Sequence, residues 1–174
     1  YNLLLVVSLS GFPTAIAKMV SERRALNNYQ GAYQVYKIAR WGLFLIGLVS
    51  SAFVLLFARN LVTFLGFPGS YYSMLSLVPA LFAVPLLSVY RGFFQGMQNM
   101  TPIALSQLIE QIFRVAVGLY LAYAFVDTGL EEAAAGATFG ASAGAIAALI
   151  LIYTMFFLSK KNVKEEIILS KNNK

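Results

Sequence analysis

The stretch WGLFLIGLVSSAFVLLF at residues 41–57 decides the fold, because it contains no charged side chain. Arg40 precedes it and Arg59 follows shortly after it. An α-helix needs about 20 mostly apolar residues to cross the hydrocarbon core of a bilayer. The stretch therefore predicts a membrane-spanning helix from about Ile38 to Phe57.

The composition of the whole chain supports the same interpretation. Of its 174 residues, 59% are apolar and 11% are charged, and the mean hydropathy is +0.72. Soluble domains are usually about 45–50% apolar and about 25% charged. Too little polar surface remains to cover a water-soluble globule, so we predict an all-α, polytopic transmembrane helix bundle.

The absence of Cys and His narrows the possible chemistry. Without them there is no thiol nucleophile, no thiolate metal site and no imidazole base. Phosphate-binding loops, nucleophile elbows and paired aspartates are absent as well. We therefore expect neither an enzyme nor a resident metal or cofactor.

Five apolar runs predict five spans, and polar segments separate them. The segment between the first two, Val20–Lys37, carries Tyr29, Tyr33 and Tyr36 at helical spacing, which predicts a short helix lying in the membrane interface. At QNMTP, Thr101 is expected to cap the next helix, with Pro102 in its first turn. The spans are expected at about 2–19, 38–57, 72–97, 103–125 and 133–158, followed by a basic tail at 159–174.

Glycine and proline interrupt two of the predicted spans. Gly11 and Pro13 fall in the first span, and Pro79 and Pro85 fall in the third. Proline removes a backbone hydrogen bond and kinks a helix. These four positions are candidate hinges, although static kinks remain an alternative.

The distribution of Lys and Arg predicts the orientation in the membrane. Five basic residues lie between Lys18 and Arg40, and five more lie in the last 15 residues. The loops around Arg59 and at Asp127–Glu132 hold one and none. Basic residues concentrate on the cytoplasmic side, so we expect the first loop and the tail there. Such flanking charge does not indicate nucleic-acid binding.

Charged residues inside predicted spans are the candidates for function, because they are costly in a membrane. Counted along the helix from Thr101, Glu110 lies about 13 Å and Arg114 about 19 Å into the bilayer, and Arg91 lies at similar depth on the preceding helix. Helical spacing also places polar stripes on both helices, which predicts a shared aqueous cavity. The predicted cavity residues are Arg91, Gln95, Gln107, Glu110, Gln111 and Arg114.

Two interpretations of these charges remain open. In the structural one, Glu110 and Arg114 neutralise each other at i, i+4, and the glutamines hold helices together. In the cavity interpretation, Arg91 adds an unpaired positive charge, and two arginines against one glutamate form a pocket suited to phosphate.

Three segments resemble a known family: LSGFPTAIAKMVSE at Leu9–Glu22, YRGFFQGMQNMTPIALSQLIEQIFR at Tyr90–Arg114 and GLEEAAAGATFGASAGA at Gly129–Ala145. They resemble lipid-linked precursor flippases of the MOP superfamily, of the MurJ/SpoVB type also described as polysaccharide biosynthesis proteins. The resemblance covers essentially the whole chain.

The resemblance implies two pseudo-symmetric helix bundles around a central cationic cavity that opens alternately to each side. It implies that the chain supplies the second to sixth spans of the N-terminal bundle. The start within an apolar run, without Met, gives the expectation of a fragment whose N-terminal part is missing. The resemblance implies that the missing parts are the first span and the whole C-terminal lobe.

The resemblance further implies transport of a lipid-linked diphosphate oligosaccharide across the bacterial cytoplasmic membrane, among membrane lipids, with Arg91 and Arg114 engaging the diphosphate. Three other classes remain to be weighed. A MATE-like cation-coupled multidrug antiporter would favour carboxylates in the cavity, a membrane glycosyltransferase would need clustered Asp or His, and a scaffold would have no use for intramembrane charges.

Overall fold

The computed structural model describes the backbone of residues 2–64, 66 and 68–172, and the side chains of residues 11–64, 66 and 69–159. Within these ranges the chain forms six α-helices and one short 3-10 turn, at Pro68–Ser70. The helices are α1 (Asn2–Ala25), α2 (Tyr29–Phe64), α3 (Tyr71–Ser76), α4 (Val78–Gly96), α5 (Thr101–Ala124) and α6 (Leu130–Asn172).

Four helical segments of the described part are long and apolar enough to cross a membrane, which confirms the predicted all-α polytopic bundle. They are Tyr29–Phe64, Tyr71–Gly96, Thr101–Ala124 and Leu130–Ser159. The predicted span at 2–19 coincides with α1, but residues 2–10 lie outside the described side chains. The side chains of the tail at 160–174 lie outside them as well.

Neighbouring helices alternate in direction, as a chain that crosses the membrane repeatedly requires. The parallel helices α1 and α4 touch where Gly92 meets Pro13 and Gly96 meets Val20. At one end of the bundle, Arg24 Nη1 donates a 2.6 Å hydrogen bond to the carbonyl oxygen of Met97, so loops 26–28 and 97–100 lie side by side. We call this the basic end, since most of the Lys and Arg flank it.

An aromatic cluster forms the core toward the basic end. The Tyr36 ring lies 4.7 Å from the Phe156 ring and 5.3 Å from the Phe93 ring, and Tyr90 and Phe94 also pack on Phe156. Tyr36 is only 2% exposed. The expectation of an interfacial tyrosine row is therefore wrong for Tyr36, which joins α2 to α4 and α6.

The polar segment at residues 20–37 does not form a helix of its own. Its first part completes α1 and its last part begins α2, with a turn at residues 26–28. Asn27 takes a positive φ of 52° in this turn, and Asn28 N–H donates to the carbonyl of Arg23, which closes the end of α1. No proline falls between Tyr29 and Phe64, so α2 continues unbroken into the membrane.

The third predicted span is broken at Leu77, between α3 and α4. Pro79 therefore stands in the first turn of α4, where proline is tolerated, whereas Pro13 and Pro85 lie inside helices. Hydroxyl groups satisfy carbonyls near the break: Ser142 donates to the Ser76 carbonyl at 2.5 Å, and Ser51 donates to the Val78 carbonyl at 3.4 Å. The Ser76 and Thr138 hydroxyls also share a 2.6 Å hydrogen bond.

The helix α5 begins one residue earlier than expected. Met100 occupies the N-cap, Thr101 makes no capping hydrogen bond, and Pro102 lies within the first turn. The predicted cap at Thr101 is therefore wrong, although the start of the helix is displaced by only one position.

The helices α5 and α6 pack backbone against backbone, as the small residues of the last span predict. A Cβ added to Gly136 would lie 2.9 Å from the Leu121 carbonyl carbon, and one added to Gly140 would lie 2.7 Å from Gly118 Cα. At these two positions only glycine leaves room for the neighbouring backbone. Close approach at small residues is typical of helices that pack within membranes. This contact fixes the position of α5, which carries Glu110 and Arg114.

Candidate functional site: a shared carboxylate between two arginines

Three of the predicted site residues meet in one ion-paired cluster, which we call the charged triad: Arg91, Glu110 and Arg114. Arg91 comes from α4, and the other two come from α5. Arg91 Nη2 lies 2.8 Å from Glu110 Oε2, and Arg114 Nη2 lies 2.6 Å from Glu110 Oε1. Each guanidinium thus holds a different oxygen of the same carboxylate.

The triad is only partly shielded. The side chain of Glu110 is 12% exposed, that of Arg91 is 19% exposed, and that of Arg114 is 42% exposed. Arg91 Nε also donates a 3.0 Å hydrogen bond to the hydroxyl of Ser106, which is fully buried and donates in turn to the Ile103 carbonyl. Arg91 is therefore fixed by two groups on α5, while Arg114 stays accessible.

The pairing of Glu110 with Arg114 confirms the i, i+4 interaction expected from the sequence. The expectation that Arg91 is unpaired is wrong, because its guanidinium shares the carboxylate of Glu110. Two guanidinium groups against one carboxylate still leave the triad with an excess of one positive charge. Within the described part of the chain, the buried Arg114 Nε has no hydrogen-bond partner.

Glycines of α6 pack against the backbone of the two triad residues on α5. A Cβ on Gly144 would lie 2.5 Å from the Glu110 carbonyl oxygen and 3.2 Å from Arg114 Cβ. Gly144 stands close to the middle of the candidate span Leu130–Ser159. The backbone of Glu110 therefore lies near half depth on α6, in agreement with the depth counted along α5.

The remaining predicted cavity residues surround the triad without joining its hydrogen bonds. Gln107 and Gln111 are exposed on α5, and Gln95 is half-buried on α4. Gln98, three residues after Gln95, lies beyond the end of α4 with a positive φ of 57°. The shared aqueous cavity and the binding roles of these glutamines stay predictions, as do the hinge roles of Gly11, Pro13, Pro79 and Pro85.

Three cavities bounded by described residues lie away from the triad. One of about 540 Å³ lies at the end opposite the basic end, where Arg59, Tyr71 and Glu131 contribute to its lining. An apolar cavity of about 270 Å³ lies between Tyr72, Leu121 and Phe139. Another of about 270 Å³ lies beside Arg40, between α2 and α4.

Sequence reasoning missed two supports of the site, Ser106 and Gly144. Ser106 lies four residues before Glu110 and thus on the same face of α5, which is the signal that identifies it. Gly144 belongs to a segment recognised for its small residues, but the sequence does not show which of its glycines meets the triad.

These features together define a multi-pass helical membrane protein with a positively charged cluster inside its bundle. The chain belongs to the polysaccharide biosynthesis protein family, whose family model matches residues 1–173. It is a protein of the bacterial cytoplasmic membrane.

The curated relatives are all Bacillus subtilis (strain 168) proteins. The chain is 33% identical to stage V sporulation protein B over 155 residues, and 31% identical to the lipid II flippase MurJ over 166 residues. It is 35% identical to the uncharacterized membrane protein YabM over 161 residues. These alignments cover 88–90% of the chain but only 29–30% of each relative, so the chain spans less than a third of their length. No solved structure shows significant similarity to the chain.

Proposed function

We propose that this chain is part of a flippase that moves a lipid-linked oligosaccharide across the cytoplasmic membrane, without catalysing a covalent step. The observation that carries the proposal is the charged triad, in which two arginines share one carboxylate. Family membership supports the transport class, and one relative is named as a lipid II flippase.

The chemistry of the triad suits a diphosphate. A guanidinium group carries five N–H donors in a planar fork that matches phosphate oxygens. Arg114 uses Nη2 for Glu110, and its buried Nε has no partner among the described residues. An anionic head group would supply acceptors to the guanidinium N–H groups of Arg114 that Glu110 does not occupy, and it would balance the excess positive charge.

The two arginines contribute differently in this proposal. Arg91 is held by both Glu110 and Ser106, so it presents a fixed charge. Arg114 is held through one nitrogen and is more exposed, so it is the arginine that reaches the ligand first. Glu110 positions both guanidinium groups, and the lobe expected beyond this chain would complete the cavity.

The multidrug antiporter is not favoured. A cation-coupled antiporter favours free carboxylates inside the membrane, whereas Glu110 is occupied by two arginines. The family match points to polysaccharide biosynthesis instead.

Transport of lipid II in proteoliposomes by the full-length protein tests the proposal. Both transport and the amount of folded protein should be measured for each variant. Arg114→Ala should lose most of the transport per folded molecule, and Arg114→Lys should lose part of it, because lysine keeps the charge but not the fork. Glu110→Gln should be milder, because the amide oxygen still accepts a bond from one arginine. Arg59→Gln, which removes an arginine distant from the triad, is the matched control.

The structural interpretation of the triad makes the opposite prediction. If the triad only holds α4 to α5, removal of one partner strands a charge and lowers the amount of folded protein. Transport per folded molecule would then be unchanged in Arg91→Ala, Glu110→Gln and Arg114→Ala. That result would refute the proposed binding role.

A further inference from the structure

A second positively charged site lies on the outside of the bundle, at the groove between α2 and α4. It is a cavity of about 270 Å³ whose lining consists of one arginine and four apolar or aromatic side chains. The lining residues are Arg40, Trp41, Phe44, Leu86 and Tyr90. None of them belongs to the charged triad, and the proposed transport does not use them.

The guanidinium of Arg40 is held in place at this cavity. Its central carbon lies 6.0 Å from the centre of the Tyr36 ring, within reach of a cation–π interaction. Tyr36 is itself fixed in the aromatic core. Arg40 makes no ion pair with a carboxylate among the described residues, so its charge is available to an anion.

The site lies at the level of the lipid head groups. Arg40 immediately precedes the uncharged run of α2, and Arg59, just beyond the end of that run, lies 19 residues after Arg40. At a rise of about 1.5 Å per residue, the two arginines are separated by about the thickness of the hydrocarbon core. Arg40 therefore marks the boundary of the bilayer on the side of the basic end.

The surface beside the cavity is apolar and exposed in the described part of the chain. Trp41 is 56% exposed, and Leu45 and Leu48 continue the same exposed face of α2 at i+4 and i+7. Tryptophan is enriched where a membrane helix meets the head groups. A ligand at this site thus meets a cation and an amphipathic ring at head-group level, with apolar walls leading into the bilayer.

We propose that this cavity binds an anionic phospholipid of the cytoplasmic leaflet. Arg40 holds the phosphate, while Phe44 and Leu86 contact the upper part of an acyl chain. Basic pockets between membrane helices on the cytoplasmic side are suited to anionic head groups. All five lining residues belong to the described part of the chain, and none has a role in the proposed transport.

The single tryptophan of the chain, Trp41, reports directly on the site. The chain is reconstituted in phosphatidylcholine vesicles that contain a small fraction of either brominated phosphatidylglycerol or brominated phosphatidylcholine, since bromine quenches tryptophan emission on contact. The attraction between an anionic lipid and one basic side chain at the membrane surface enriches that lipid about fivefold. We expect Trp41 to be quenched more strongly by brominated phosphatidylglycerol, in line with that enrichment.

Two variants separate the pocket from general charge attraction. Arg40→Gln and Lys37→Gln each remove one positive charge, but only Arg40 lines the cavity. Arg40→Gln should abolish most of the preference for brominated phosphatidylglycerol, and Lys37→Gln should retain it. Equal quenching by the two lipids in the unmodified chain, or an equal loss of preference in the two variants, would overturn the proposal.

Discussion

Gly140→Ala tests the close approach of α5 and α6, on which the geometry of the charged triad depends. The added Cβ would collide with the carbonyl oxygen of Arg114 and would lie 2.7 Å from Gly118 Cα and 2.8 Å from Gly118 N. These are backbone atoms, so none can rotate away. An ordinary contact begins at 3.4 Å, so the contact with Gly118 Cα alone requires the helices to separate by about 0.7 Å, and the closer carbonyl oxygen of Arg114 requires more.

The expected cost follows from two opposing effects. Overpacking a tight contact costs about 1–3 kcal/mol. Replacing glycine by alanine inside a helix stabilises the folded state by about 1 kcal/mol, because alanine has the higher helix propensity. Gly42→Ala is the matched control, because a Cβ on Gly42 in α2 would meet nothing within 4 Å. The propensity gain is common to both variants, so their difference isolates the steric cost of about 1–3 kcal/mol.

The measurement is the unfolding midpoint of each variant in one detergent, by heat or by added dodecyl sulfate. We expect Gly42→Ala to unfold at or above the midpoint of the unmodified chain, and Gly140→Ala to unfold below Gly42→Ala. If the two variants are equally stable, α5 and α6 do not touch at Gly140, and the account of how Glu110 and Arg114 are held is wrong.

Three further predictions concern packing and orientation. Ser142→Ala should lower the free energy of unfolding by about 1–3 kcal/mol, because it leaves the Ser76 carbonyl without its buried donor. Thr154→Ala, on the exposed surface, should change that free energy by less than about 0.5 kcal/mol, and denaturant titration compares the two variants. Phe156→Ala should cost about 3–5 kcal/mol by opening the aromatic core, and Phe157→Ala, at a position 66% exposed, should cost far less in the same titration. Cysteines placed at Arg24 and Thr128 should react with an impermeant thiol reagent from opposite sides of the membrane, and labelling of both from outside would contradict the orientation predicted from Lys and Arg.

The spans of α2, α4, α5 and α6 were predictable because their signal is local. An uncharged run such as residues 41–57 is long enough to cross a bilayer whatever surrounds it. The pairing of Glu110 with Arg114 was predictable for the same reason, since i, i+4 spacing brings the two side chains together on any helix. Small residues on α6 likewise predicted close packing, because they limit the distance between helices directly.

The features that sequence reasoning missed depend on how separate helices are rotated against one another. Arg91 pairs with Glu110 because α4 and α5 turn their polar faces together, and hydropathy does not determine that rotation. Tyr36 has the spacing and flanks of an interfacial residue, yet α4 and α6 surround it with Phe93 and Phe156. The break at Leu77 was not predicted: the sequence suggested a kink at Pro79 within one span, whereas Pro79 lies in the first turn of α4.

The shared carboxylate explains how two arginines are stabilised within a membrane bundle and remain able to bind the proposed ligand. An isolated guanidinium in the bilayer is costly, and a second carboxylate would neutralise the cluster and repel a diphosphate. One carboxylate stabilises both arginines, because Glu110 gives each a separate oxygen at 2.6–2.8 Å. It leaves one positive charge in excess and the buried Nε of Arg114 without a partner within the described chain. Arg91 links α4 to this carboxylate, while glycines hold α5 against α6. An anion that binds the guanidinium groups would therefore act on the ion pair that joins α4 to the α5–α6 pair.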